Sequence, residues 1–132
     1  MAKWQNDLIL DAACDYIKNN VTQEAVCSAQ PTTYAEATTT YDGGAGKYKL
    51  ALKTGLTSGS FTGPANGDTN GRKITVNQQA TITVDASASA THIALCSGSV
   101  LIYVTTCTSQ ALTAGNTVTV PAWDIEFADV TP

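Results

Sequence analysis

The residues able to do chemistry are few, and their spacing does not form a catalytic constellation. His92 is the only histidine, so a nucleophile–imidazole pair would have to use it. No nucleophile motif surrounds any serine, as a hydrolytic triad would require. Asp124 and Glu126 lie two residues apart and resemble a carboxylate pair, but a glycosidase needs its two carboxyl groups across a cleft. We therefore expect that the chain is not an enzyme.

Two other patterns resemble ligand-binding loops and fail at defined positions. Gly46 and Lys47 resemble the end of a phosphate-binding loop, but tyrosines occupy the positions where that motif needs Gly and Ser or Thr. The run Asn66 to Gly71 echoes the first half of a calcium loop, yet Asn77 stands where the bidentate Glu belongs. A lone histidine and the absence of any CxxC motif also argue against zinc. We expect no cofactor and no metal.

The charge balance argues against a nucleic-acid or membrane partner. The net charge is −4, and the seven Lys and Arg residues end at Lys73, so no basic patch forms of the kind that DNA or RNA binding needs. No segment approaches the ~18 consecutive apolar residues of a membrane helix. Only 14% of the residues are charged. Such a surface, built largely from Thr, Ser, Asn and Gly, suits β-strands and contact with another protein.

The cysteines are expected to be thiols. The polar start, from Met1 to Asp7, does not resemble a signal peptide, so we expect synthesis in the cytoplasm, where disulfides are rare. The four residues concerned are Cys14, Cys27, Cys96 and Cys107.

The sequence predicts one amphipathic helix from Asn6, its cap, to Asn20. Its polar stripe is formed by Asp7, Asp11, Asp15 and Lys18. Its apolar face is formed by Ile9, Ala13, Tyr16 and Ile17, widened by Leu10 and Cys14. Because an apolar helix face must be buried somewhere, two interpretations stay open. The helix packs on its own sheet, or it docks on a neighbouring subunit together with the preceding Trp4.

The remainder of the chain is predicted to be β-structure. Thr33 and Glu36 predict a capped helical turn, and the stretch from Thr54 to Gly71 reads as a long irregular loop and a candidate contact surface. Strands are predicted at Val21 to Ser28, Tyr48 to Leu52, Arg72 to Val76, Ala80 to Val84, His92 to Cys96, Val100 to Cys107, Thr117 to Val120 and Trp123 to Phe127. Closely spaced, turn-linked strands favour an antiparallel sandwich or barrel. We predict a mainly β chain, with residues 1–132 as a single β-sandwich domain in which 1–20 form an N-terminal arm and helix.

Several longer runs are similar to small virion proteins of tailed bacteriophages. They are Met1 to Leu8, Cys27 to Ala37, Gly67 to Lys73, Val104 to Val118 and Pro121 to Phe127. On these runs the chain resembles capsid cement, or decoration, proteins of short-tailed phages. The resemblance implies a jelly-roll-like fold and a structural role in the virion. It also implies a homodimer on the capsid exterior that binds and stabilises the shell of the major capsid protein.

The residues expected to contact the partner lie in the N-terminal segment and in the long loop. They are Trp4, Leu8, Ile9, Phe61, Asn66, Asp68 and Asn70. Two alternatives stay open: a tail or fibre-base component of the virion, and a glycan-binding β-sandwich module that uses an exposed Trp123 or tyrosines. Trp123 alternates with Asp124, which places it in the core and argues against its use by a glycan.

Overall fold

The computed structural model describes residues 2–130, so Met1 of the predicted N-terminal arm lies outside the described residues. Two α-helices, nine β-strands and one 3₁₀ turn are present in the described part. In chain order they are α1 (Asp7–Asn20), β1 (Gln23–Cys27), α2 (Tyr34–Thr38), β2 (Lys49–Lys53), the 3₁₀ turn (Ser58–Ser60), β3 (Phe61–Asn66), β4 (Arg72–Val76), β5 (Gln79–Thr83), β6 (Ala88–Cys96), β7 (Leu101–Leu112), β8 (Thr117–Val120) and β9 (Trp123–Phe127).

The strands form three antiparallel sheets. The largest has the order β2-β1-β6-β7, a second has the order β3-β4-β9, and β5 pairs with β8. Every pairing between these strands is antiparallel. The prediction of a mainly β, antiparallel sandwich class with one N-terminal helix is confirmed. The finer jelly-roll arrangement stays a prediction. Within residues 2–130, no helix is long and apolar enough to cross a membrane.

The chain divides into two compact units, each assembled from separated segments. In the described part of the chain, the helix–sheet unit comprises residues 2–20, 57–78 and 121–130. It contains α1 and the β3-β4-β9 sheet. The two-sheet unit comprises Val21–Leu56 and Gln79–Val120, and contains α2 and the other two sheets. The expectation of one sandwich domain over the whole chain stays a prediction.

The two-sheet unit is built on the central strands β1 and β6. On one face of these strands, four small residues are buried against Ala37 of α2: Ala25, Cys27, Ala94 and Cys96. The predicted cap of α2 is confirmed, because the hydroxyl of Thr33 accepts a hydrogen bond from the Glu36 amide at 3.1 Å. Small side chains on the sheet allow the short helix to approach closely.

The β6–β7 hairpin is longer than its sequence pattern indicates. Ser97 closes its turn, donating its amide to the Val100 carbonyl at 2.9 Å. Strand β6 begins at Ala88, four residues before the predicted start at His92, and β7 continues past the predicted Cys107 to Leu112. Small residues such as Ala and Ser have no strong preference for strands, but pairing with the extended β7 holds these residues in strand β6.

All four cysteines are free, which confirms the expectation of thiols. Cys14, Cys27 and Cys96 are buried, and Cys107 is partly buried. The pKa of the Cys27 thiol is raised to about 12 and that of the Cys96 thiol to about 11, mainly because both thiols are buried. These groups behave as small apolar side chains at neutral pH.

The helix–sheet unit has β4 at its centre, with Ile74 and Val76 buried. Ile74 pairs with the buried Ile125 of β9. The predicted alternation of β9 is confirmed by the burial of Ile125 between the exposed Asp124 and Glu126. Trp123, expected in the core, is half-buried.

The reading of Thr54 to Gly71 as one irregular loop is wrong. Its middle forms the 3₁₀ turn and strand β3, which pairs with β4 through contacts such as Phe61 with Val76. Gly63 and Pro64 are residue types that usually end a strand, and here they lie at an irregularity in the β3–β4 pairing. A bulge accommodates such residues within a strand.

Candidate functional site

The N-terminal helix begins at a side-chain cap, as predicted. The Oδ1 atom of Asn6 accepts a hydrogen bond from the Leu8 amide at 2.9 Å, and the Asn6 carbonyl accepts one from the Ile9 amide at 3.0 Å. Asp7, in the first turn, places a negative charge where the helix dipole favours it. At the other end, the side-chain amide of Asn20 donates to the Tyr16 carbonyl at 2.8 Å. The cap fixes the point at which the preceding Trp4 segment leaves the helix.

Two polar contacts fix the rotation of α1 against its sheet. The Arg72 Nε atom of β4 donates to Asp11 at 2.6 Å, and the Lys18 ammonium donates to the Gly63 carbonyl of β3 at 3.0 Å. The hydrogen bond to Asp11 is the main cause that raises the pKa of Arg72. Because both contacts come from the predicted polar stripe, part of that stripe faces the sheet and not the solvent.

The buried face of α1 therefore differs from the predicted one. Cys14 and Ile17 are buried, whereas Ile9 and Tyr16 are exposed. The predicted apolar face, which grouped Ile9 and Tyr16 with Ile17, is wrong for these two residues. A helix places residues three and four apart on one side, and the Asp11 and Lys18 contacts select the Cys14 and Ile17 side for packing.

The opposite side of α1 carries an uncovered apolar surface. Its large members are Leu8, Ile9 and Tyr16, which are 71%, 61% and 57% exposed, and Trp4 in the segment before the helix is 82% exposed. The exposed Ala12 lies between Leu8 and Tyr16 at four-residue spacing, so these three residues form one row along the helix. We call Trp4, Leu8, Ile9, Ala12 and Tyr16 the apolar helix face.

The apolar helix face is large enough to be a binding surface. Trp4 and Tyr16 alone expose on the order of 300 Å² at the exposures given above, judged from the 150–250 Å² that an aromatic side chain buries. Leu8 and Ile9 extend this area. Exposed apolar patches of a few hundred Å² mark interaction sites, whereas scattered single residues do not. An amphipathic helix with such a row of anchors is suited to a groove on a folded partner.

A polar loop leads into the first residue of β4 in the same unit. It consists of Asn66, the last residue of β3, and the connecting residues 67–71, and the Gly67 amide donates to the Gly71 carbonyl at 2.9 Å. The amide of Thr69 donates to the Glu126 carboxylate at 3.1 Å. A Cβ atom at Gly71 would overlap the Phe127 carbonyl, and Gly71 has a φ of 70°. The two hydrogen bonds fix the loop in one conformation. That conformation requires glycine at position 71, because any side chain would overlap the Phe127 carbonyl.

Two of the carboxylates around this loop share one lysine as their cationic partner. Lys73 contacts Asp68 at 2.6 Å and Asp124 at 3.3 Å. Hydrogen bonds to Asp68, and then to Asp124, raise the pKa of Lys73. The pKa of Asp124 is lowered, mainly by its hydrogen bond from the Thr75 hydroxyl and secondly by its contact with Lys73. Within residues 2–130, no three His, Cys, Asp or Glu side chains are grouped to hold a metal ion.

The helix and the loop are connected by one guanidinium group. Arg72 binds Asp11 through Nε and the Asn66 Oδ1 atom through Nη1, both at 2.6 Å. Asn66 therefore lies beside the helix, as part of a polar border. Asp68 is exposed and paired with Lys73.

The residues expected to contact a partner divide into two groups. Trp4, Leu8 and Ile9 lie on the apolar helix face, and Asn66, Asp68 and Asn70 lie on the polar loop, where Asn70 Oδ1 accepts a hydrogen bond from the Asp129 amide at 3.3 Å. Phe61 is only 4% exposed and packs in the core of the helix–sheet unit, so its expected place at the surface is wrong. Its position in β3 turns the ring inward.

Tyr16 and Ala12 are the surface residues that sequence reasoning missed. The signal was present, because Leu8, Ala12 and Tyr16 recur every four residues. That row was obscured by a second apolar row on the same helix, which includes Ile17. Only one of the two rows is buried.

The groups considered for catalysis are engaged in structural contacts. The Nδ1 atom of His92 lies 2.8 Å from the Thr91 hydroxyl. Asp124 is bound by Thr75 and Lys73, and Glu126 accepts from the loop amides. No protein-family model, no curated protein and no solved structure matches this chain.

Proposed function

We propose that this chain is a structural protein of a phage particle, a capsid cement protein that binds the outside of the shell formed by the major capsid protein. The observation that carries this proposal is the apolar helix face, which points away from the packed side of α1. The resemblance of several sequence runs to cement proteins of short-tailed phages supports it. The role requires no catalytic site and no cofactor.

The apolar helix face supplies the anchors of the proposed contact. Leu8, Ala12 and Tyr16 enter a groove between capsid subunits, with Trp4 extending the contact beyond the first turn. Large aromatic and aliphatic anchors of this kind dominate interface energies. The polar loop at residues 66–71 forms the rim, where its fixed conformation limits the entropy lost on binding.

Stabilisation of the shell follows from linkage. A protein that binds only the assembled subunits lowers the free energy of the shell and not that of free subunits. Many copies act on one particle, so each contact can be of modest affinity. We expect the chain to be made in the host cytoplasm, to form a homodimer and to occupy the capsid exterior without contacting the nucleic acid.

Co-sedimentation with capsid shells tests the proposed contact. Leu8→Asp places a charge in the middle of the apolar helix face, and Val100→Asp makes the same change at a 52% exposed residue of the two-sheet unit. Shells of the phage that encodes this chain are stripped of it and mixed with each purified variant. Loss of an anchor that contributes at least about 2 kcal/mol to the binding free energy weakens binding roughly 30-fold. We expect this loss for Leu8→Asp and unchanged binding for Val100→Asp.

Two results would contradict the proposal. Equal binding by Leu8→Asp and the natural chain would remove the helix from the contact. A native particle with only a few copies of the chain would favour a tail or fibre-base component, since a cement protein is present at about one copy per capsid subunit. Circular dichroism of each variant controls for loss of fold.

A further inference from the structure

The two-sheet unit contains a broad, open depression that the proposed capsid contact does not use. Its volume is about 550 Å³, and Ser28, Tyr41, Tyr48 and Ser89 line it together with the glycine turn at residues 43–45. This size lies within the range of small-ligand sites. All of these residues belong to the two-sheet unit.

The two tyrosines are held in place by the backbone of their own unit. The Tyr41 amide donates to the Lys49 carbonyl at 2.9 Å, and the Tyr48 amide donates to the Glu36 carbonyl at 3.0 Å. The turn between them is braced by Asp42, whose Oδ1 atom accepts from the Gly44 amide at 2.8 Å. Its Oδ2 atom contacts the Lys47 ammonium at 2.7 Å. The backbone frame of the depression is therefore formed before any ligand arrives, which reduces the entropy lost on binding.

The lining of the depression is uncharged and rich in hydroxyl groups. Among the described residues, Ser, Tyr, Gly and Ala make up the whole lining. Within residues 2–130, the hydroxyls of Ser28, Tyr41, Tyr48 and Ser89 make no hydrogen bond to a protein group. Each can donate one hydrogen bond and accept two. Lys47 and Asp42 satisfy each other's charge beside the site.

We propose that this depression binds a neutral oligosaccharide, with the two tyrosine rings as its platform and the free hydroxyls as hydrogen-bond partners. A sugar ring has an apolar face of C–H groups and a rim of hydroxyls, which matches an aromatic ring with a polar end. A phosphorylated or carboxylated ligand would need a cationic partner, and the lining contains none among the described residues. The shallow shape suits one face of an extended sugar chain.

The test uses the full chain, an array of neutral and acidic glycans, and calorimetry on the strongest neutral ligand. Tyr41→Ala removes one platform, and Ala45→Trp fills the depression from an exposed position. Tyr16→Ala is the matched control, because it removes an exposed tyrosine from the apolar helix face. We expect both site variants to weaken glycan binding at least tenfold and Tyr16→Ala to leave it unchanged.

Three outcomes would overturn the proposal: no neutral glycan binds at millimolar concentration, acidic glycans bind in preference to neutral ones, or Tyr41→Ala and Ala45→Trp both bind as the natural chain does. A thermal unfolding curve like that of the natural chain shows that a variant is folded. Tyr48 is left intact, because it also packs on the core beneath α2. Shell binding by Tyr41→Ala should be unchanged, which separates this proposal from the proposed capsid contact.

Discussion

The rotation of α1 predicts very unequal effects of one chemical change at two positions. Ile17 is 4% exposed and Ile9 is 61% exposed, and both lie on the same helix. Replacing Ile by Ala removes three carbon atoms, worth about 0.8 kcal/mol each when buried, so Ile17→Ala loses about 2.4 kcal/mol before any cavity term. With the cavity, the expected loss of unfolding free energy is about 2–5 kcal/mol. The higher helix propensity of Ala offsets at most about 0.7 kcal/mol of this loss of unfolding free energy.

At Ile9, the same substitution removes little packing. Because the side chain is exposed, we expect a change within about 0.5 kcal/mol, with Ala favoured by its helix propensity. Urea unfolding followed by tryptophan fluorescence measures both changes, since both tryptophans, Trp4 and Trp123, belong to the helix–sheet unit. The described rotation of the helix is refuted if Ile9→Ala destabilises this unit as much as Ile17→Ala does.

Two further predictions concern titration. The Thr75 hydroxyl, followed by Lys73, lowers the pKa of Asp124 below its usual 3.8, so this group stabilises the fold above its unfolded pKa and the contribution disappears as pH falls through the folded pKa. Asp124→Asn should therefore be less stable than the natural chain at about pH 6, and in urea unfolding this difference should shrink as pH falls below the usual 3.8. A difference that does not change with pH would contradict the lowered pKa. Burial, and then the neighbouring thiols, raise the pKa of Cys27 to about 12. A disulfide reagent at about pH 8 should modify the partly buried Cys107 before Cys27, and rapid labelling of Cys27 in the folded chain would contradict its burial.

Local sequence signals located most of the regular structure. Asn6 marked the start of α1, and the alternation of Ile125 with charged neighbours marked β9, because capping and side-chain periodicity act over a few residues. Strand β3 was missed, since Gly63 and Pro64 resemble loop residues. It is held as a strand by pairing with β4, and such cross-strand pairing is not visible in the local sequence.

The candidate site was only partly predictable for a related reason. Trp4 and Leu8 were placed correctly at the surface, since no element of the pattern covers them. The orientation of α1 depended on Arg72 and Gly63, which contact the helix from 61 and 45 residues further along the chain. Amphipathicity alone could not choose between two apolar rows, and the long-range polar contacts chose one.

The segment order of the helix–sheet unit has a consequence for translation. Helix α1 leaves the ribosome first, but β4, the strand on which it rests, also needs β9 for its second row of hydrogen bonds. Strand β9 is synthesised after every other element of the unit and after the whole two-sheet unit. A nascent chain therefore displays its apolar helix on an incomplete scaffold until residue 127 has emerged. A ribosome stalled before that point should hold α1 without the finished sheet that the proposed capsid contact relies on.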